Sequence, residues 1–288
     1  MKHAYLIIAH NEFEVLSRLL QALDDVRNDI YIHFDRKLQE YPPCQLIHAG
    51  LCILTGRIDV RWGDASVVNA EYALFEAAYK HGGYSYFHLL SGVDMPLKSQ
   101  DYIHRFFEAN AGKEFVGYYQ GDITKEINRK VRRWHLFPKD FKDTGGVVAT
   151  GKRALRAVFI RLQQMAGIYR NRGTNFKKGT QWVSLTVDCV GYLLQQKEVV
   201  GRMYRHTFCA DEIFVQTICW NSSFRDRLYD TENEGHGCLR AIGWKDNKLN
   251  DWQETDFEYL IHSDALFARK FNSRHLKVVD LILNEIRR

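Results

Sequence analysis

The N-terminal run AYLIIAH (4–10), the segment NEFEVLSRLLQALDD that follows it, and DIYIHFD (29–35) constrain the fold more than any other part of the chain. AYLIIAH is an apolar run of strand length that ends in polar residues. After it, Phe13, Leu16, Leu19, Leu20 and Leu23 recur at helical spacing. DIYIHFD is a second strand that ends in an acid. Strand, crossover helix and strand predict a parallel pair, because parallel neighbours cannot be joined by a tight turn. Nucleotide-binding α/β sheets open in this way and take their ligands at the carboxyl ends of the strands.

The alternation continues. A short apolar run (51–54) precedes RIDVRWGDAS, and VVNAEYALFEAAYKH reads as a helix. YSYFHLLSGVDMPLKS predicts a central strand running into a turn at Gly92–Pro96. SQDYIHRFFEAN opens on a capping serine, and EFVGYY (114–119) reads as a further strand. Over residues 1–119 this order predicts an α/β fold with a mostly parallel, three-layer α/β/α sheet. No internal repeat or low-complexity linker interrupts the 288 residues.

A net charge of +5 suits an anionic ligand or an anionic membrane surface better than a dedicated nucleic-acid binder, and no nucleic-acid motif accompanies it. The six cysteines lie far apart with no C-x-x-C pair, several of them in apolar runs, which predicts reduced, buried thiols. No apolar run approaches the ~18 residues of a membrane span. MKHAYLIIAHNE is too short in its apolar part for a signal peptide. The expectation is a cytoplasmic protein.

Residues 125–146, KEINRKVRRWHLFPKDFKDTGG, are basic and aromatic, and a helix KRALRAVFIRLQQMAG follows with arginines between apolar residues. Three readings stand side by side: a solvated face, a grip on an anionic or carbohydrate acceptor, and docking on anionic lipid through Lys130, Arg132 and Arg133. The phosphate-loop, dinucleotide, zinc-helix, EF-hand and nucleophile-elbow motifs are all absent from the sequence. His10 and His33 read as strand-end histidines and His88 as a core histidine.

CADEIFVQTICW (209–220) places two adjacent acids before an apolar helical run. Asp211 reads as the helix N-cap. Glu212 either complements the helix dipole or turns into a cleft, and the local pattern does not separate these.

IIAHNE with IYIHFDRK, VRWGDAS, HLLSGVDMPLKS, KGTQWVSLT, ADEIFVQT, LRAIGW and ALFARKF occur in this order over residues 4–271. Together they resemble the core-2 and I-branching N-acetylglucosaminyltransferase family, which includes the peptide O-xylosyltransferases (glycosyltransferase family 14). The resemblance implies a GT-A-like fold in a single domain, 1–288, with a nucleotide-binding half (1–120) continuing into an acceptor-binding and catalytic half (121–288). It implies transfer of N-acetylglucosamine or xylose from a UDP donor to a glycan, glycolipid or protein hydroxyl, with inversion and with no divalent metal or other cofactor. SGVDMP carries only Asp94 where a metal-dependent enzyme of that fold shows Asp-x-Asp.

By the same resemblance Glu212 is the catalytic base and Asp211 mainly a cap. Arg240, Arg269 and Lys270 hold the diphosphate, where fixed cations meet the charge of the leaving group. Ile8 and Asp35 contact the uridine, Asp35 accepting the uracil N–H, and Val60, Arg61 and Trp62 form a second uridine-side segment. Gln181 and Trp182 approach the donor sugar and pyrophosphate. The xylosyltransferases carry an acid where this chain has Gln181. The overall expectation is a bacterial cytosolic relative building cell-surface polysaccharide, with peripheral attachment to the inner face of the membrane. Two alternatives are a transferase recruiting Mn²⁺ through Asp35 or Asp94, and a carbohydrate- or lipid-binding protein without turnover.

Overall fold

In the computed structural model, which describes residues 1–142, 145–245 and 248–287, β1 (His3–Ala9), α1 (Phe13–Leu23), β2 (Asn28–Phe34), β3 (Gly50–Ile53), α2 (Ser66–His81) and β4 (Tyr86–Ser91) follow in the order that the hydrophobic pattern predicts. After β4 come β5 (Asp94–Pro96) and α3 (Gln100–Ala109), whose Ser99 cap accepts a bond from the Tyr102 N–H as expected. The second half contains α4 (Thr124–Lys130), α5 (Gly146–Met165), β6 (Ser184–Thr186), α6 (Val187–Gln195), α7 (Lys197–Tyr204), α8 (Phe214–Trp220) and α9 (Glu234–Cys238). It ends with β7 (Arg240–Ile242), β8 (Trp244–Lys245), β9 (Lys248–Leu249), α10 (Phe257–His262), β10 (Phe267–Arg269) and α11 (Leu276–Ile286).

Every residue of β1 is buried, as befits the centre of a sheet. The sheet order is β3-β2-β1-β4-β6, parallel throughout except that β6 runs against β4. Alternate side chains of β1 feed two cores. Ala4, Leu6 and Ile8 pack in the layer of α2, α6 and α8, while Tyr5, Ile7 and Ala9 pack in the layer of α1, α3 and α11. The result is the expected three-layer α/β/α arrangement, consistent with a GT-A-like fold. Both cores draw residues from both halves of the chain. A smaller sheet, β5-β10-β7, sets Arg269 opposite Asp94.

Two local expectations are corrected. EFVGYY forms no strand ladder: only Glu114 and Phe115 bridge, to Leu228 and Ser184, and the segment then bonds irregularly through the Tyr119 N–H to the Lys178 carbonyl. The reason is a backbone contact. A Cβ on Gly179 would lie 1.8 Å from the Gly117 carbonyl oxygen, and one on Gly117 would lie 2.6 Å from the Glu234 carbonyl oxygen, so three main chains stack with no side chains between them. The helix predicted over 152–167 begins six residues earlier, at Gly146.

Under the sheet, three histidines share the α3 side. His88 Nδ1 is 2.8 Å from Ser184 Oγ and its Nε2 is 3.1 Å from His3 Nδ1. The His104 ring stacks on His3 at 4.1 Å. Arg240 donates to Ser184 Oγ at 3.0 Å, so that hydroxyl passes its own proton to His88, whose Nε2–H then donates to His3. Burial holds all three imidazoles neutral, with His3 lowered to about 2 and His104 to about 4.

The β6 edge is pinned by buried Glu114, which accepts from the Thr186 N–H (2.9 Å), from Thr186 Oγ1 (2.6 Å) and from Arg227 Nη2 (3.2 Å). Glu114→Ala strands those donors and is expected to cost on the order of 3 kcal/mol, read as a lower urea midpoint at unchanged slope.

Candidate active site

The carboxyl ends of β1, β2 and β4 open into a cleft of about 990 Å³. Its sheet-side wall carries Ile8 from β1, Asp35 just beyond β2 and Ser91 at the end of β4; the opposite wall comes from residues 178–182 and 211–212. The cleft therefore sits where an open α/β sheet binds its ligand.

The loop after β3 is tied to the end of β2. His33 Nε2 accepts from the Ile58 N–H at 2.9 Å, and the Arg57 guanidinium donates to the Asp35 carbonyl at 2.8 Å. This places Val60, Arg61 and Trp62 on the cleft. Asp35 is buried and accepts from the Lys37 N–H (2.9 Å) and ammonium (2.8 Å). Arg61 pairs with Asp59 at 3.1 Å, and its N–H donates to Ser66 Oγ. Trp62 is no core residue: it is 52% exposed, stacked 5.7 Å from Phe141, with the Lys142 ammonium 4.1 Å from its ring.

Across the cleft the chain enters the acids through Cys209 at φ 51°, and Ala210–Glu212 form a single 3-10 turn before α8. The expected Asp211 cap is thereby corrected: Ile213 holds the cap position of α8, which has no side-chain cap bond. Asp211 turns inward instead, where its Oδ1 has no hydrogen-bond partner. Burial and the adjacent Glu212 charge push its carboxyl up to about 7. Behind it, fully buried Glu71 is raised well above the carboxylate range by burial and then by Asp211, and it accepts a 2.6 Å bond from Gln181 Nε2. The Gln181 side chain is thus anchored from behind.

Glu212 is 40% exposed to the cleft, and its carboxylate lies 3.5 Å from the Lys178 ammonium. Lys178 also pairs with Glu126 at 3.0 Å, and Glu126 pairs with Lys130 on α4. Burial alone would lower the Lys178 ammonium; Glu212 and Glu126 outweigh it and raise the group. The Gly179 N–H donates to the Glu212 carbonyl at 2.9 Å, locking the two segments together.

At the floor, Arg269 lies over the buried Trp182 ring at 4.2 Å and reaches Asp94 Oδ1 at 3.3 Å. Asp94 also accepts from the Ser91 N–H (2.9 Å) and Oγ (2.6 Å), so its oxygens are engaged by protein donors. Among the described residues no three His, Cys, Asp or Glu side chains converge as a metal site would require.

Of the eleven residues given the base or donor-binding role from the sequence, nine line this one cleft: Ile8, Asp35, Val60, Arg61, Trp62, Gln181, Trp182, Glu212 and Arg269. The other two lie elsewhere. Arg240 is buried beneath the β6–β7 region, bonded to the Cys238 carbonyl (2.7 Å), the Val183 carbonyl (3.2 Å) and Ser184, with its guanidinium over Phe267. Its place is inside the core, and burial lowers it to about 10. Lys270 pairs with Asp251 at 3.3 Å, outside the cleft wall. The sequence reading missed Lys178, Glu126 and Glu71. Lys178 is the first residue of the KGTQWVSLT motif, and Glu71 is an acid in the otherwise apolar face of α2; both were visible as signals.

Comparisons with known proteins bear on this site. The sequence model of the Core-2/I-Branching enzyme family matches residues 3–263. Xylosyltransferase oxt of Drosophila melanogaster is 25% identical over 294 aligned residues, which cover 93% of this chain and 31% of the relative. Xylosyltransferase 2 of Rattus norvegicus and of Homo sapiens are each 22% identical, with 94% of this chain and 32% of the relative covered. The chain spans about a third of the length of these curated relatives.

Asp211 also carries a stability cost that varies with pH. Its carboxyl ionises near 3.8 when unfolded and near 7 when folded, so unfolding releases a proton between those values and its contribution to stability falls as pH rises through them. Asp211→Asn removes this cost. The variant is expected to gain melting temperature over the wild type at pH 8 but not at pH 4, which thermal unfolding at both pH values will check.

Proposed function

The chain belongs to the Core-2/I-Branching enzyme family, and from that premise we propose that it is an inverting glycosyltransferase that moves N-acetylglucosamine or xylose from a UDP donor to a hydroxyl of a glycan, glycolipid or protein. The observation that carries the reading is the Glu212 carboxylate, open to the cleft and facing the Lys178 ammonium at 3.5 Å. A base must bring its carboxylate within reach of the acceptor hydroxyl, and the Glu212 side chain opens into the cleft.

In this mechanism the uridine lies against the sheet edge, between Ile8, Asp35 and the 60–62 segment, with the Trp62 ring beside the base. The donor sugar reaches toward Gln181. The acceptor hydroxyl approaches from the Glu212 side and gives its proton to the carboxylate as its oxygen attacks the anomeric carbon. The bond to the β-phosphate breaks on the opposite face of the sugar, which inverts the centre. Arg269 takes up the charge growing on the leaving phosphate, a task that fixed donors perform without reorganisation and without a divalent metal. Because Arg240 is internal and Lys270 is paired with Asp251, Arg269 carries the phosphate role that the motifs spread over three cations. A bacterial role in cell-surface polysaccharide synthesis, with the enzyme attached at the inner face of the membrane, completes the proposal.

Two measurements test it. Calorimetric titration with UDP, UDP-N-acetylglucosamine, UDP-xylose and UDP-glucose, with EDTA and with Mn²⁺, is expected to show metal-independent binding that selects one sugar. Glu212→Gln is expected to leave that binding intact and to slow UDP release by transfer by at least about 100-fold; turnover equal to the wild type would remove Glu212 from the mechanism.

A further inference from the structure

Helix α5 fully buries one line of residues, Ala149, Arg156 and Gln163, spaced by seven. Beside that line Val148, Leu155 and Leu162 are exposed, and around the helix from them so are Val147, Val158 and Met165, the first and last at 89% and 84%. These six side chains make one continuous apolar stripe with nothing of the described chain packed on it. The helix carries no acid; of its cations Arg153 and Arg161 are exposed, while Arg156 is buried and Lys152 pairs with Asp140 at 2.6 Å.

An aromatic edge runs along the same helix. Exposed Trp134, Phe137 and Phe141 belong to the segment that α5 holds: Gln163 accepts from the Trp134 N–H at 2.8 Å, Lys152 lies 5.7 Å from the Phe137 ring, and Arg156 lies 5.7 Å from the Phe141 ring. Tryptophan and phenylalanine beside arginine and lysine are suited to the boundary between lipid headgroups and acyl chains.

We propose that α5 and its aromatic edge dock the protein on an anionic lipid surface, the stripe sunk below the headgroups and the cations among them. The charge selects this occupant. An acid-free helix is complementary to anionic lipid, whereas two copies meeting through the stripe would bring like charges together. No helix among the described residues is long and apolar enough to cross a membrane, so the contact is with the surface. Phe141 stacks on Trp62 and Lys142 covers that ring, so the docked face adjoins the cleft mouth. On the transferase reading, an acceptor held at a lipid surface is thereby presented at the cleft; docking itself does not depend on that reading.

The test is co-sedimentation of the whole chain with vesicles of phosphatidylcholine alone and of phosphatidylcholine mixed with phosphatidylglycerol. The wild type is expected to pellet only with the mixed vesicles and to be released by salt. Leu155→Glu with Leu162→Glu is expected to lower the bound fraction about tenfold while leaving the melting temperature unchanged, since both side chains are exposed. Arg153→Glu with Arg161→Glu weakens binding through the charge alone. Wild type left in the supernatant with anionic vesicles, or pelleting undiminished in the leucine variant, overturns the proposal. So does a sedimenting dimer that the leucine variant dissolves, which would assign the stripe to a second copy. UDP binding measured on the same variants stays unchanged if docking and catalysis are separate, so loss of one does not imitate loss of the other.

Discussion

The close stacking of three main chains at Gly179, Gly117 and Glu234 is the constraint on which the cleft depends. With no Cβ between them, the 178–182 segment is drawn against a stretch that itself bridges to the edge of the sheet. Lys178, Gln181 and Trp182 are thus fixed relative to the distant strand ends that carry Ile8, Asp35 and Ser91. The bond from the Gly179 N–H to the Glu212 carbonyl then carries the same register to the acids. Any side chain at Gly179 must separate the backbones, and the opposite wall of the cleft moves with it.

Electrostatically, the wall on that side is a row of alternating charges: Lys130, Glu126, Lys178 and Glu212. Burial alone would raise the Glu126 carboxyl, and Lys130 and Lys178 outweigh it and lower the group, just as Glu212 and Glu126 together raise Lys178 against its burial. Asp211 and Glu71, one layer deeper, have no cation in contact and are driven toward their neutral forms by burial. Of the two adjacent acids, Asp211 is driven toward its neutral form while Glu212 meets the Lys178 ammonium at the cleft, a difference set by which way each faces. On the proposed mechanism the exposed Glu212 is the base.

What the sequence made legible follows from the range of the interactions involved. The β-α-β opening, the Ser99 cap and the amphipathic α1 rest on local periodicity and local hydrogen bonds, and all are seen in the structure. The motif order assembled most of the cleft, because strand ends and the loops after them are local to those motifs. Where the reading departs from the structure, a distant partner decides. EFVGYY has the alternation of a strand, yet Gly117 is committed to Glu234 and Gly179. Asp211 has the composition of a cap, yet the left-handed Cys209 swings it inward. Arg240 sits in a motif of the family, yet its partners are the Cys238 and Val183 carbonyls and Ser184 in the core. The uncovered stripe of α5 was invisible for a related reason: periodicity shows that a helix has an apolar face but not whether anything lies on it.

The histidine stack beneath β1 has a consequence for how the protein responds to acid. Neutral when folded, His3, His88 and His104 take up protons on unfolding below about pH 6.5. Glu71 and Asp211 do the reverse across much of the same range, releasing protons as the chain opens. Proton uptake by one set is offset in part by release from the other, so stability changes less steeply with pH than the histidines alone would impose. Two buried clusters on opposite faces of the sheet, with no contact between them, thus act together as a proton buffer for the folding equilibrium.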